Sequence, residues 1–126
     1  MIDDDLLIAQ AKEAAKQAYS PYSGYRVGAA LITKGGKVFT GCNIENASYS
    51  LTICAERSAV AQAVSAGETE FLAIAVYVDS EKIFPPCGAC RQVLMEFSPK
   101  MKVIFANDVE RHKTTLEELL PHSFGL

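Results

Sequence analysis

The sequence predicts an α/β protein with three layers, α/β/α, around one central mixed β-sheet. Three observations predict it. Two short apolar runs are joined through a Gly-Gly turn, the pattern of a β-hairpin. Two later runs are apolar at nearly every position, as strands covered on both faces must be. The segments before and between them carry apolar residues at helical spacing, which supplies the outer layers.

Leu6, Leu7, Ala9, Ala11, Ala14, Ala15 and Ala18 follow a helical repeat behind an acidic first turn, so residues 3–18 read as an amphipathic helix. Ser20-Pro21-Tyr22-Ser23-Gly24 ends it. The hairpin strands are expected at 27–32 and 38–42, turning through Lys34-Gly35-Gly36-Lys37. Ala55, Ala59, Val60, Ala61, Ala63 and Val64 suit a buried helix over 54–66, with Gly67 where helices stop. A buried strand is expected at 71–78. A helix then runs from Cys87 or Gly88 to Phe97, halted by Ser98-Pro99, and a second buried strand follows at 102–106. Thr114 or Thr115 caps a short closing helix over 115–120, with Glu117 and Glu118 in its first turn. Hairpin, helix, strand, helix, strand is the order of a mixed sheet with helices on its faces. No linker or internal repeat divides residues 1–126, so a single domain is expected.

With 126 residues, 49% of them hydrophobic, the chain can bury a core without cross-links. A net charge of −3 with scattered Lys and Arg argues against a nucleic-acid partner, since that affinity rests on clustered cations. The opening Met1-Ile2-Asp3-Asp4-Asp5 is the opposite of a cationic export leader, and no apolar run reaches membrane-spanning length. A cytoplasmic protein with no membrane partner is expected. In a reducing compartment its four cysteines are thiols or metal ligands.

Cys54-Ala55-Glu56 and Pro86-Cys87-Gly88-Ala89-Cys90 carry the chemistry. Cys54, Cys87 and Cys90 are three candidate thiolate ligands for one zinc ion, and Glu56 is a carboxylate left free for proton transfer. Structural zinc takes four protein ligands, whereas a catalytic site keeps three and leaves the last position to water. Cys87 and Cys90 are three apart and share a face of a helical turn. Cys54 and Glu56 are two apart, about 200° around a helix, so they meet one pocket only beyond its N-terminal end. There the helix dipole and free N–H groups also favour the thiolate. Zinc with three thiolates carries about one net negative charge, which calls for a compensating cation. Arg57 is the candidate donor to the sulfurs, and Arg91 a second one.

Gly41-Cys42-Asn43-Ile44-Glu45-Asn46-Ala47-Ser48-Tyr49, Thr52-Ile53-Cys54-Ala55-Glu56-Arg57 and Pro86-Cys87-Gly88-Ala89-Cys90-Arg91-Gln92 together resemble the small cytidine deaminase family, from the first helix to Phe124. Three-cysteine zinc sites with a nearby glutamate recur among nucleobase deaminases. The resemblance implies a zinc-dependent homotetramer, one Zn2+ per chain, that converts cytidine and 2′-deoxycytidine to uridine products and ammonia in pyrimidine salvage. Glu56 would act as base and then acid. Asn43 and Glu45 match positions that bind the ribose hydroxyls. Tyr25 stands where the family commonly has Phe, and its ring, with Val27 and Ala55, would line the base pocket; Arg26 replaces an often uncharged residue. Ala47, Tyr49 and Phe124 match residues that complete a neighbouring subunit's site.

Other readings use the same residues. Cys42, in an expected buried strand, suits a small core residue. With Cys54, Cys87 and Cys90 it would instead close a structural four-sulfur zinc module. A deaminase of aminonucleoside antibiotics or of polynucleotides is a closer rival, against which stand the acidic charge and Asn43-Ile44-Glu45-Asn46. His112 and His122 have no ligand spacing to the cysteines and read as solvent-facing. Gly35-Gly36 reads as a turn, because no Walker-type pair of lysine and hydroxyl follows it: Lys37 is followed by Val38.

Overall fold

Asp3 starts the first helix by accepting the Leu6 N–H on its side chain at 2.8 Å, a typical N-cap. Helix α1 spans Asp4–Ala15. It stops short of the expected Ala18. Beyond it, Tyr19 N–H donates to the Asn43 carbonyl and the Tyr19 carbonyl accepts from Glu45 N–H, at 3.0 and 2.8 Å. These cross-chain bonds replace further helical ones. The computed structural model describes Asp3 to Leu126. Met1 and Ile2, which open the acidic run read above, lie outside the described residues.

The hairpin forms as its sequence predicts. Strand β1, Val27–Thr33, lies antiparallel to β2, Val38–Cys42, with Gly28 opposite Cys42 and Ile32 opposite Val38. Gly36 turns the chain at φ 91°, a backbone setting that glycine tolerates without steric cost. Helix α2, Ala55–Ser65, strand β3, Phe71–Val78, helix α3, Gly88–Phe97, and strand β4, Lys102–Ala106, follow in order. The last helix, α4, spans Leu116–Leu119, with Thr115 as its cap.

One strand was not predicted. Arg111–Thr115 forms β5, antiparallel to β4 at the sheet edge. Arg-His-Lys-Thr-Thr has no apolar alternation, so the pattern that reveals a half-buried strand is missing. Its pairing comes from the ladder, and its charges meet α1: Arg111 pairs with Asp5 at 2.7 Å and Lys113 with Asp4 at 2.8 Å. Cations along an exposed edge also discourage further strands from joining it.

The strand order is β2-β1-β3-β4-β5, with β3 and β4 parallel and the other neighbours antiparallel. The expected three-layer mixed-sheet architecture is therefore present. Alternation along the strands divides the core. Ala30, Ile32, Ala73, Ala75, Tyr77 and Ile104 meet Leu7, Ala11 and Ala15 of α1. Ala29, Leu31, Ile74, Val76, Val103 and Phe105 face the other way, toward Ala55, Ala59, Val60 and Ala63 of α2 and Leu94 of α3. Each fully buried leucine or isoleucine here contributes about 2 kcal/mol through burial alone.

Two glycines set how closely the helices approach the sheet. A β-carbon at Gly28 would lie 1.9 Å from the Ala11 carbonyl oxygen, and one at Gly41 would lie 2.5 Å from the Ala59 nitrogen. Both obstacles are backbone and cannot rotate away. Gly28→Ala is expected to lower unfolding free energy by about 3 kcal/mol or more. Gly125→Ala, where the added carbon meets nothing within 4 Å, should leave it unchanged. Urea titration of the two variants checks the contrast.

Candidate metal centre and catalytic pocket

Two helices begin at the same place. Cys54 caps α2 with an extended backbone, φ −73° and ψ 156°, and Cys87 caps α3 at φ −66° and ψ 169°. Neither side chain caps a backbone N–H of its own helix, so both sulfurs can turn toward one ion. Cys90 lies one turn into α3 and is buried. The three Sγ atoms lie within 4.8 Å of one another, and Cys54 and Cys87 are 3.8 Å apart. A tetrahedral zinc ion with Zn–S bonds of about 2.3 Å separates its sulfurs by about 3.8 Å. The donor set therefore fits zinc. Cys42, half-buried in β2, stands outside this group, and burial pushes its thiol pKa up. That position suits a core residue and deprives the four-sulfur module of its last ligand.

Arg57 faces the sulfurs. Its Nη2 donates to Cys54 Sγ at 3.5 Å and to the Thr52 carbonyl at 3.3 Å, while its buried Nε–H has no protein partner. A hydrogen bond from Cys90, helped by Arg57 and Cys87, holds Cys54 well below the usual thiol range despite burial. The same pairing, together with burial and the nearby Glu56, pushes Cys90 up. Arg91 is placed differently from its sequence reading. Its Nε donates to the Pro86 carbonyl and its Nη1 to the Leu119 carbonyl, both at 2.7 Å. It braces the loop before Cys87 against α4 through carbonyl oxygens.

Glu56 is 5% exposed, in the first turn of α2. Burial pushes its pKa up to about 7; its own backbone N–H opposes this, the Cys54 charge adds to it, and Arg57 pulls it back. A carboxyl group poised near neutrality can both take and give a proton. It opens, with Cys54, Cys87, Ala55, Val27 and Asn43, onto a cavity of about 210 Å³.

The remaining predicted residues fall into three groups. Asn43, 8% exposed, donates through Nδ2 to the Tyr25 carbonyl and accepts Val27 N–H on Oδ1, both at 2.9 Å. One amide hydrogen and one lone pair remain free. Tyr25 is exposed and does not itself line the cavity; its ring meets the lining residue Phe84 edge-on, with centroids 5.4 Å apart. Glu45 borders an adjoining cavity of about 420 Å³ with Tyr22, Ser23, Tyr49 and Thr52. Ala47 and Tyr49 are exposed beside it. Phe124, 72% exposed, lies instead against a C-terminal cavity of about 590 Å³, where Gln92 Nε2 bonds its carbonyl at 2.9 Å. His122 borders that cavity too, and His112 of β5 lies tilted against the Phe105 ring of β4. Neither histidine joins the sulfurs.

Five cavity residues were not among the predicted site residues: Thr52, Val76, Val78, Phe84 and Pro85. The two valines read only as core strand. Phe84-Pro85 directly precedes the Pro86-Cys87 ligand loop, and that adjacency was the available clue.

An α/β/α protein with a three-cysteine metal centre and a buried carboxylic acid is the class that fold and site define. Residues 1–107 match the family described as "Cytidine and deoxycytidylate deaminase zinc-binding region". The chain is 50% identical to the cytidine deaminase of Sporosarcina psychrophila over 128 aligned positions, covering 98% of this chain and 93% of that one. It is 46% identical to that of Halalkalibacterium halodurans, covering 98% and 95%. The crystal structure of cytidine deaminase from Burkholderia pseudomallei is similar with a TM-score of 0.93 at 47% identity, covering 98% of this chain and 100% of that one. The chain belongs to the cytidine deaminase family.

Cys42→Ala is expected to retain stoichiometric zinc after gel filtration, and Cys90→Ala to lose it. Elemental analysis per chain reads both. Loss of zinc from Cys42→Ala with its fold intact would restore the four-sulfur alternative.

Proposed function

We propose that this protein hydrolytically deaminates cytidine and 2′-deoxycytidine to uridine and 2′-deoxyuridine, releasing ammonia. In this reading it is a cytoplasmic homotetramer of pyrimidine salvage, each chain one domain with one zinc ion. The carrying observation is a buried carboxylic acid, Glu56, sharing one cavity with Cys54 and Cys87, two of the three clustered sulfurs. Half identity to the Sporosarcina cytidine deaminase over nearly the whole chain supports the substrate class.

Zinc held by Cys54, Cys87 and Cys90 supplies a Lewis acid that makes water a stronger proton donor near neutral pH. Glu56 takes one proton from the attacking water as the water oxygen bonds to the amino-bearing carbon of the base. It passes that proton to the adjacent ring nitrogen. It then moves the second proton of the water to the amine, so that the carbon–nitrogen bond breaks, ammonia leaves and the carbonyl forms. Arg57 offsets the negative charge of the sulfurs.

Asn43 and Glu45 bind the sugar hydroxyls, and the Tyr25 ring lies toward the pyrimidine beside Val27 and Ala55. Support for Asn43 comes from its burial on the cavity wall with hydrogen-bonding capacity to spare. Ala47, Tyr49 and Phe124 complete a neighbouring subunit's site. Support for assembly comes from large apolar side chains left exposed, Tyr19 and Leu51 among them, and from the touching rings of Tyr22 and Tyr49 on the cavity beside Glu45, because exposed apolar patches mark interfaces.

Glu56→Gln keeps the shape of the side chain and removes its proton traffic. The variant should fold, hold zinc, and lose roughly three orders of magnitude or more in kcat on cytidine, followed by the absorbance change of the base. Near-native turnover by this variant would refute the role of Glu56. Activity confined to blasticidin or to single-stranded DNA in the same assay would overturn the nucleoside assignment.

A further inference from the structure

Glu45 is gripped by the loop that follows α1. Tyr22 N–H and Ser23 N–H donate to its Oε1 at 2.9 and 3.1 Å, and the Ser23 hydroxyl donates to its Oε2. A carboxylate offers about four acceptor positions. Oε1 is therefore full, and the position left open is on Oε2, the oxygen that Ser23 holds. These donors also keep Glu45 ionised, with the Ser23 side chain contributing most to lowering its pKa.

Ser23 has a second bond. Its Oγ accepts Tyr25 N–H at 3.0 Å, the Tyr25 carbonyl accepts from Asn43 Nδ2, and Asn43 Oδ1 accepts Val27 N–H. An unbroken line of hydrogen bonds thus runs from Glu45 through Ser23, Tyr25 and Asn43 to Val27. It joins the cavity bordered by Glu45 to the one bordered by Glu56, and Thr52 lines both. The loop itself is exposed, with Gly24 at φ 76°, and its apolar contacts are the edge-on rings of Tyr22 on Tyr49 and Tyr25 on Phe84. Hydrogen bonds set its position.

We propose that Ser23 is a positioning residue for the sugar end of the nucleoside: its hydroxyl fixes the open oxygen of Glu45 and ties it, through Tyr25 N–H, to the base cavity. This rests on the nucleoside deaminase reading above. One hydroxyl is spent twice, as donor to a charged acceptor and as acceptor from a backbone amide, so removing it frees both ends at once. A hydrogen bond to a charged group is stronger than a neutral one, and here it restrains a carboxylate that has only one free position with which to meet a hydroxyl.

The test compares wild type, Ser23→Ala and Ser23→Thr on cytidine and on 2′,3′-dideoxycytidine, which lacks both ring hydroxyls. Ser23→Ala should raise KM for cytidine roughly tenfold or more, with kcat nearly unchanged and a clearly smaller rise for dideoxycytidine, which meets only the Tyr25 end, so that the preference for cytidine falls. Ser23→Thr, which keeps the hydroxyl, should restore it. Amide hydrogen exchange at Tyr25 should be faster in Ser23→Ala and native-like in Ser23→Thr. Equal losses on the two nucleosides would mark a merely structural residue and overturn the proposal, as would an unchanged KM for cytidine or unchanged exchange at Tyr25. Any of these leaves the deaminase reading standing. A wild type inactive on both nucleosides overturns the deaminase reading itself, and the sugar-positioning role with it.

Discussion

Thiolates are costly to bury unless something positive faces them, and in this protein the beginnings of two helices meet that requirement. α2 and α3 start at one point with Cys54 and Cys87 as their caps. Unpaired N–H groups and the positive ends of both dipoles therefore surround the sulfurs, and Arg57 adds a full charge at Cys54. The same convergence explains Glu56. Being in the first turn of α2 rather than at its middle, it reaches the same cavity as Cys54 although the two are only two positions apart.

The sheet makes that convergence possible. Parallel pairing of β3 and β4 forces a crossover through α3, which brings the N-terminus of α3 to the carboxyl end of β3, where Val76 and Val78 floor the pocket. Ligand sites in such sheets lie beyond these strand ends. α2 arrives there by another route. It packs on the hairpin, close enough that Gly41 admits no β-carbon, so its distance from the sheet is set by backbone contact. The sulfurs are thus positioned by two rigid packings rather than by loops. The cavity bordered by Glu45 differs: Glu45 and Tyr25 sit on exposed segments whose geometry draws on hydrogen bonds through Ser23 and Asn43.

Much of this was legible in the sequence because the elements with strong periodicity are those that bury apolar surface. β3 and β4 were bounded correctly from continuous apolar runs, and α3 from its cysteine start and Ser98-Pro99 stop. β5 was invisible because Arg111–Thr115 owes its strand to the neighbour it pairs with, not to its own side chains. The end of α1 shifted because Tyr19 bonds to residues far along the chain, which no local pattern records. At the site, the cysteine spacings announced the metal cluster. The sequence ranks Arg57, beside Glu56, ahead of Arg91, beside Cys90, but only the fold turns one toward a sulfur and the other toward two carbonyls. Phe84 was missed because it reaches the cavity from the irregular segment between β3 and α3, which carries no periodic pattern.

The central claim is a metal centre with three sulfur ligands and one position that the protein does not fill. X-ray absorption at the zinc edge of the purified protein tests it most directly. The account predicts three sulfurs at about 2.3 Å and one oxygen or nitrogen at about 2.0 to 2.2 Å. Four sulfurs around the ion, or protein that binds no zinc at all, would contradict it.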